Sequence, residues 1–384
     1  MQKQKAPIPI PASVCGIIGR LNRAGYEAWA VGGCVRDALL GLSPKDWDIA
    51  TMALPREVET VFADCRVVET GLRHGTVTVL FDGQPLEITT YRVDGAYADG
   101  RHPDGVIFTP SLSEDLKRRD FTVNAMAWHP ESGLFDPFDG KKDLRNGVLR
   151  CVGEAACRFH EDALRILRAL RFAATYGFVV EKDTAAAVRA LAARLHMVSA
   201  ERVREELFKL ICGRWAHRVL REFPTVLPFE NGAALETAPD DLCLRLALLH
   251  FTPDMLHALK TDTATARRVE RLTTGLSLPL SCERVTLLQA LGLLGEQDLR
   301  LVLSVRGCEE VQKALEVLLA EAPCYTLRQL AVNGNDLTAL GLSGAAVGAM
   351  LQRLLFAVMR GDCPNERAPL LQLAEKDIEK SPFG

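Results

Sequence analysis

The sequence predicts an α+β protein: a small N-terminal unit built on a mixed sheet, followed by a remainder that is entirely helical. Three observations carry this. Between Tyr26 and Thr51 an apolar run, a double glycine, a short helical segment and a second apolar run succeed one another, which is a strand, a tight turn, a helix and a strand. HGTVTVLF and PLEITTYR alternate on either side of Asp82-Gly83, a hairpin-turn dipeptide. Beyond about residue 155 no segment reads as a strand, and Leu and Ala recur at helical spacing through VREELFKLI, DDLCLRLALL, RVTLLQALGLL, EVQKALEVLLAEA and AAVGAMLQRLLFAVMRG.

Residues 12–24 have the spacing of a helix that covers the first strand. Gly32-Gly33 then forms the turn, because glycine accepts positive φ and lets the backbone approach closely. The first amides of the following helix can hold a phosphate, and Arg36 can reach it. On the returning strand Asp46 and Asp48 share a face while Trp47 and Ile49 pack behind them. Paired carboxylates repel unless a cation lies between them, so the pair is a candidate site for a hard divalent metal. A lone Asp-x-Asp or a lone double glycine carries little information. Together within one strand-helix-strand step they point to metal-assisted phosphate chemistry.

Pro55 opens the next helix, REVETVF. After the hairpin turn, Glu87 lies on a strand that can stand beside the aspartate strand, as a third carboxylate or as a solvent-facing glutamate. Val93 to Pro110 is rich in Gly, Pro and Asp without periodicity and reads as a mobile loop. LSEDLKRRDFTVNAMAWHP returns to order, with Ser113 as cap and Arg118, Arg119 and Asp120 near the middle of its helix. A turn-rich stretch closes the first unit near residue 150, and breaks near Phe223 to Pro228 and Ser277 to Ser281 divide the helical part.

The 384 residues are 48% hydrophobic with a net charge of −3, so total charge does not announce a nucleic-acid binder. The basic residues are clustered, however: Arg118 and Arg119 are adjacent, and Arg158, Arg165, Arg168 and Arg171 follow within one helical segment. Eleven cysteines without C-x-x-C pairs suit reduced cytosolic thiols, and Cys151, Cys157 and His160 lack the spacing of a zinc module. No secretory signal and no apolar run of membrane length is present, which points to the cytoplasm.

The succession GGCVRDALLG, DWDIAT, HGTVTV, EITTYR, EDLKRRDFTVNAMA, FDPFDGKKDL, HEDALRILRALRF and ERVREELFKL resembles the class II CCA-adding tRNA nucleotidyltransferases of the polymerase-beta-like superfamily, over about residues 25–212. LAVNGNDLTALGLSGAAVGAMLQRLL is similar to the family's C-terminal region. The resemblance implies a seahorse-shaped enzyme: a nucleotidyltransferase head at 1–150, a neck at 151–222, a body at 223–325 and a tRNA-binding tail at 326–384. It implies Mg2+ on Asp46 and Asp48, and Gly32, Gly33 and Arg36 at the triphosphate; Glu87, from its place on the neighbouring strand, is the candidate for a further catalytic carboxylate. Arg119 would contact the nucleotide, and Asp120 belongs to the motif associated with ribose recognition. Asp162, Arg165, Arg168 and Arg171 match the nucleotide-recognition helix, Arg171 being turned toward phosphates or neck packing.

The implied reaction adds CCA to a tRNA 3′ end from CTP and ATP, by two-metal nucleotidyl transfer with release of pyrophosphate. Partners would be the acceptor and TψC arms of tRNA, with no membrane and no protein partner. Asp162 and Arg165, three residues apart on a helix, would share a face and act as a protein template. A carboxylate only accepts and a guanidinium only donates, which matches the donor-acceptor edges of cytosine and adenine and opposes those of uracil and guanine. The loop after Val93 would act as a lever in the switch from C to A addition. A poly(A) polymerase lacks support, because no arginine-rich segment replaces GLRHGTVTV and no long basic extension follows. The full-length RVDGAYADGRHPDG loop disfavours a CC-only enzyme, and intact paired aspartates disfavour a non-catalytic RNA-binding protein. An enzyme adding only the terminal A stays open.

Overall fold

The computed structural model describes residues 8–71, 75–94 and 106–380. The chain forms two compact units, Met1–Glu236 and Thr237–Gly384.

In the first unit β1 (Ala28–Val31), β2 (Asp48–Thr51), β3 (Arg66–Gly71), β4 (Thr76–Phe81) and β5 (Gln84–Thr90) are followed by β6 (Arg92–Asp94), β7 (Val106–Phe108), β8 (Ala127–His129) and β9 (Gly133–Phe135). Seven of them make one sheet in the order β3-β4-β5-β2-β1-β8-β9. The β2–β5 pairing is parallel and the other ladders are antiparallel, so the sheet is mixed. Asp82 and Gly83 both take positive φ between β4 and β5, as a two-residue hairpin requires. Helix α1 (Ala12–Arg23) covers the sheet with Val14, Ile17, Ile18 and Leu21, the i, i+3, i+4, i+7 stripe of an amphipathic helix. Between the strands lie α2 (Gly33–Leu39), α3 (Pro55–Val61), which begins at its proline, and α4 (Leu112–Lys117).

Beyond the sheet come α5 (Gly140–Asn146), α6 (Ala155–Glu161), α7 (Leu164–Tyr176), α8 (Lys182–Leu191) and α9 (Ala200–Ile211). The second unit is helical, from Leu242–Leu248 to Arg367–Lys380. Its distal part has a core of its own, with Leu330, Leu337, Met350, Leu354 and Leu370 buried together. No helix among the described residues is long and apolar enough to cross a membrane.

Several local expectations need correction. β2 begins at Asp48, so Asp46 lies in the bend before it. β3, β8 and β9 emerge from segments with little alternation; their partners supply the pairing. The ends of the expected Val93–Pro110 loop are the strands β6 and β7, paired antiparallel, and residues 95–105 lie outside the described residues. The cap of α4 is Ser111, whose hydroxyl accepts from the Glu114 amide, and Ser113 is inside the helix. Arg118, Arg119 and Asp120 follow the end of α4. A two-residue strand β10 (Val148–Leu149) pairs in parallel with β11 (Val179–Val180), so strand structure does occur past residue 155.

Candidate active site

The double glycine works as its chemistry requires. Gly32 has φ 81° and its amide donates to the Met126 carbonyl at 3.1 Å, tying the turn to the segment before β8. A Cβ at Gly32 would stand 2.5 Å from Nη1 of Arg119, so the missing side chain is also what lets that guanidinium lie against the turn. Asp46 and Asp48 open beside it. Trp47 and Ile49 are buried behind them, as alternation along a strand demands.

These groups line a cavity of about 740 Å³ with Gly33, Arg36, Arg118, Asp120, Asn124, Asp162, Leu164, Arg165, Arg168, Arg171, Phe172 and Arg202. Seven arginines face four aspartates there, a surplus of positive charge that suits a polyanion. Every site residue expected from the sequence lines this cavity except Glu87. Glu87 stands beside Asp48 in the parallel register of β5 on β2, and with Asp46 and Asp48 it lines a second cavity of about 630 Å³. The two aspartates therefore border both spaces.

Most charges on the helical side are already matched. Asp120 is buried and accepts four hydrogen bonds: from the Phe121 amide (2.8 Å) and Asn124 Nδ2 (3.0 Å) on Oδ1, and from Arg168 Nε (2.9 Å) and Nη2 (2.6 Å) on Oδ2. Burial alone would raise its pKa, but the Arg168 charge and these donors outweigh it and hold the carboxyl at about 2. Asp115, almost without exposure, holds Arg118 at 2.8 Å and Arg119 at 3.2 Å. Burial pushes against its charge too, yet the two arginines keep its pKa below the ordinary value. Arg171 donates to Glu206 at 2.5 Å and lies over the Phe172 ring. This bears on the expectation that it faces phosphates or packing: its Nε is engaged with α9.

Asp162 and Arg165 do not share one helical face. The helix breaks between α6 and α7, and Asp162 sits in the break with extended backbone. Its Oδ1 accepts from the Leu164 amide at 3.0 Å, and its Oδ2 from Arg202 Nη2 at 2.7 Å. Arg165 instead pairs with Glu161 at 2.5 Å and donates to the Arg118 carbonyl at 3.2 Å. Both side chains still reach the same cavity. The ordinary i, i+3 salt bridge between them is absent among the described residues.

Arg36 is more enclosed than its sequence position implied. It is 6% exposed, with Nε on Asp37 Oδ1 (2.9 Å), Nη1 on Asn124 Oδ1 (2.6 Å) and Nη2 on the Tyr176 hydroxyl (2.7 Å). Its guanidinium also lies over the rings of Phe172 and Tyr176. Sequence reasoning missed Asn124, Tyr176, Arg202 and Glu206. The last two fall within the ERVREELFKL motif, but only the tertiary pairing reveals what they hold.

Asp46 and Asp48 differ from all of these. Among the described residues neither has an ion-pair partner, and no three His, Cys, Asp or Glu side chains stand close enough to hold a metal, so Glu87 does not complete a cluster. Burial raises the Asp48 pKa, Arg119 opposes, and the neighbouring Asp46 charge raises it further. An oxygen-only anionic pair with solvent access and no ion-pair partner among the described residues fits a hard divalent cation.

Comparison with known proteins places this geometry. The family model for the poly A polymerase head domain matches residues 28–150, that for a probable RNA- and SrmB-binding site of polymerase A matches 177–223, and that for a putative tRNA nucleotidyltransferase domain 2 matches 242–374. The CCA-adding enzyme of Lacticaseibacillus paracasei is 39% identical over 96% of this chain and 96% of its own, and that of Leuconostoc mesenteroides 36% identical over 94% and 95%. The crystal structure of the Bacillus stearothermophilus CCA-adding enzyme in complex with CTP superposes with a TM-score of 0.83 at 32% identity, covering 96% of this chain and 97% of that one. Near-complete coverage in sequence and fold, around a cavity that joins paired aspartates to a wall of arginines, makes this chain a member of the CCA-adding enzyme family of nucleotidyltransferases.

Proposed function

We propose that the chain adds CCA to the 3′ end of tRNA from CTP and ATP, without a nucleic-acid template. The observation that carries this is the cavity in which Asp46 and Asp48, without an ion-pair partner among the described residues, face an arginine-rich wall. Each step joins the acceptor's 3′ oxygen to the α-phosphorus of the nucleotide, breaks the α–β phosphoanhydride bond and releases pyrophosphate.

Asp46 and Asp48 would hold divalent metal, with magnesium as the expected ion. When bound, such ions offset phosphate charge and favour ionisation of the attacking hydroxyl. The chain's own residues orient the substrates. Gly32, Gly33 and Arg36 shape the turn that meets the triphosphate. Arg36 has most donors committed internally, so its part is to fix the turn, with its remaining N–H groups left for the cavity. Arg119, held by Asp115 and pressed against Gly32, is the more open cation beside the paired aspartates. Asp120, with its acceptor positions filled, serves the ribose site through Arg168 and Asn124. The second cavity, bordered by Glu87, would receive the acceptor end of the tRNA.

Base choice falls to Asp162 and Arg165. Asp162 Oδ1 accepts from Leu164 and Arg202, but Oδ2 accepts from Arg202 alone and keeps acceptor capacity for the amino group of cytosine or adenine. Arg165 would donate to the neighbouring ring nitrogen, with Arg168 alongside and Arg171 bracing α7 against Glu206. Uracil and guanine would leave acceptor against acceptor and donor against donor, the arrangement that polar sites reject most strongly.

We divide the chain functionally into head (1–150), neck (151–222), body (223–325) and tail (326–384). The body and tail read tRNA by shape and backbone, since A-form helices offer little sequence to side chains. The cysteines form no disulfide among the described residues, which suits a reducing compartment, and we place the enzyme in the cytoplasm.

Purified protein incubated with tRNA ending at the discriminator base, with each NTP singly and in mixture, tests the reading. CCA addition supports it. A ladder ending at CC, a lone A on a CC-ended tRNA, or a long poly(A) tract would each replace it with a different specificity.

A further inference from the structure

We infer that Tyr176 is a positioning residue for nucleotidyl transfer: its hydroxyl couples the Gly32-Gly33 turn to the helix that carries the base-reading arginines. The inference rests on the reading of Arg36 as part of the triphosphate turn.

Tyr176 is the last residue of α7, the helix of Arg165, Arg168 and Arg171. Its hydroxyl accepts from Arg36 Nη2 at 2.7 Å and donates to Asp37 Oδ1 at 2.9 Å. Arg36 and Asp37 belong to α2, the helix that follows the double glycine. Among the described residues, the hydrogen bonds that join α2 directly to α7 both pass through this one oxygen. The ring cannot drift, because it stacks on Phe172 at 6.0 Å and on Phe178 at 5.3 Å, nearly parallel to both. Phe172 lies in turn beneath Arg36, Arg168 and Arg171. Burial, then the Asp37 charge, opposed by Arg36, holds the phenol above its ordinary pKa, so it remains a donor through neutral pH.

The geometry has a kinetic consequence. Base and triphosphate belong to one nucleotide, but their contacts sit on different helices. In-line attack needs the α-phosphate placed within a fraction of an ångström, so a loose joint between α2 and α7 costs rate even when both halves of the nucleotide still bind. Phenylalanine at 176 keeps the ring stack and deletes only the hydroxyl. It leaves Arg36 bonded to Asp37 and Asn124 and over the rings at 172 and 176, but without a hydrogen bond to α7.

The test uses the full chain, tRNA substrates ending at the discriminator base and at CC, and inorganic tripolyphosphate as a competitor that reports on phosphate binding alone. Y176F should lower kcat about tenfold for both C and A addition, with the tripolyphosphate inhibition constant within about twofold of wild type and the melting temperature little changed. R36K should weaken tripolyphosphate, and adding Y176F to it should cost no further kcat, since both act through one guanidinium. Should Y176F lose its fold, D37N keeps the acceptor oxygen while removing the charge that orients Arg36 and the phenol, and the same kcat loss is expected. Wild-type kcat in folded Y176F, or a full tenfold loss on top of R36K, overturns the coupling. Unchanged tripolyphosphate binding in R36K overturns the phosphate role of Arg36 instead, while the kcat comparison still decides whether Tyr176 acts through it.

Discussion

Carboxylates on the two sides of the cavity live by opposite rules. On the helical side Asp115, Asp120, Asp162 and Glu206 are each held by arginine, and Asp120 has every acceptor position filled. On the sheet side Asp46 and Asp48 face each other's charge, and among the described residues neither is ion-paired. A buried carboxylate with a partner fixes geometry. Two carboxylates without one hold a place for charge that arrives with the substrate, and they cost stability until it does. Neutralising a carboxylate should therefore have opposite signatures on the two sides.

The largest effect belongs to the sheet side. D46N or D48N should reduce CCA addition by at least about 10³-fold, and because each change relieves like-charge repulsion, the melting temperature without metal should be unchanged or higher. Kinetics of nucleotide incorporation beside a thermal scan in chelator check both halves. A stable variant with near-normal turnover in saturating magnesium would remove the aspartates from the reaction.

D120N should do the reverse. It places an amide donor against Arg168 and leaves that guanidinium with only the more distant Glu206, at 3.9 Å, as its anion, at a cost of about 3 kcal/mol. This is the low end for a broken buried pair, because the Arg168 side chain is 34% exposed. The pH dependence follows from the same pair. Asp120 has its folded pKa depressed to about 2, against roughly 4 in the unfolded chain. Its stabilisation is complete above the unfolded value and is lost as pH falls from about 4 toward 2. Stability curves over that range should be shallower for D120N than for wild type. Parallel curves would mean that the Asp120–Arg168 pair contributes nothing to the fold.

This asymmetry explains what was legible in the sequence. The strand-turn-helix-strand step could be read because glycine, alternation and the hairpin dipeptide are local signals, and the paired aspartates came with it. The break at Asp162 was hidden because RFHEDALRILRALRF keeps a helical pattern across that point and no glycine or proline interrupts it. An aspartate just ahead of an apolar run is a helix-capping signal, and the Leu164 amide on Asp162 is its realisation. Arg202 lies 40 residues further on, so its hold on Asp162 has no local trace. Tyr176 reads from sequence as one more core aromatic, and only the approach of α2 gives its hydroxyl a purpose. β8 and β9 escaped because short strands borrow their pairing from neighbours.

Asp162 stands between the two regimes, held by Arg202 yet facing the cavity. D162A should lower the rate for CTP and ATP about 10²-fold and narrow the preference over UTP and GTP. Competition among all four NTPs reads this out. An active variant that still refuses UTP and GTP would move base choice to another part of the wall.

Glu87 gives the smallest effect and the sharpest test of where the sheet-side site ends. Its register beside Asp48 puts a third negative charge near the pair, but its side chain lines the second cavity and not the one with the arginines. If the nucleotide occupies the arginine-lined space and the acceptor end the other, E87Q should leave the KM for CTP unchanged. It should reduce kcat by about tenfold, roughly 1.4 kcal/mol, through weaker support of the attacking hydroxyl. A loss as deep as that of D46N would place Glu87 in the metal site itself, closing a gap between carboxylates that the fold leaves open. A rate equal to wild type would make it a solvated strand glutamate, and the reacting centre would then consist of two aspartates alone.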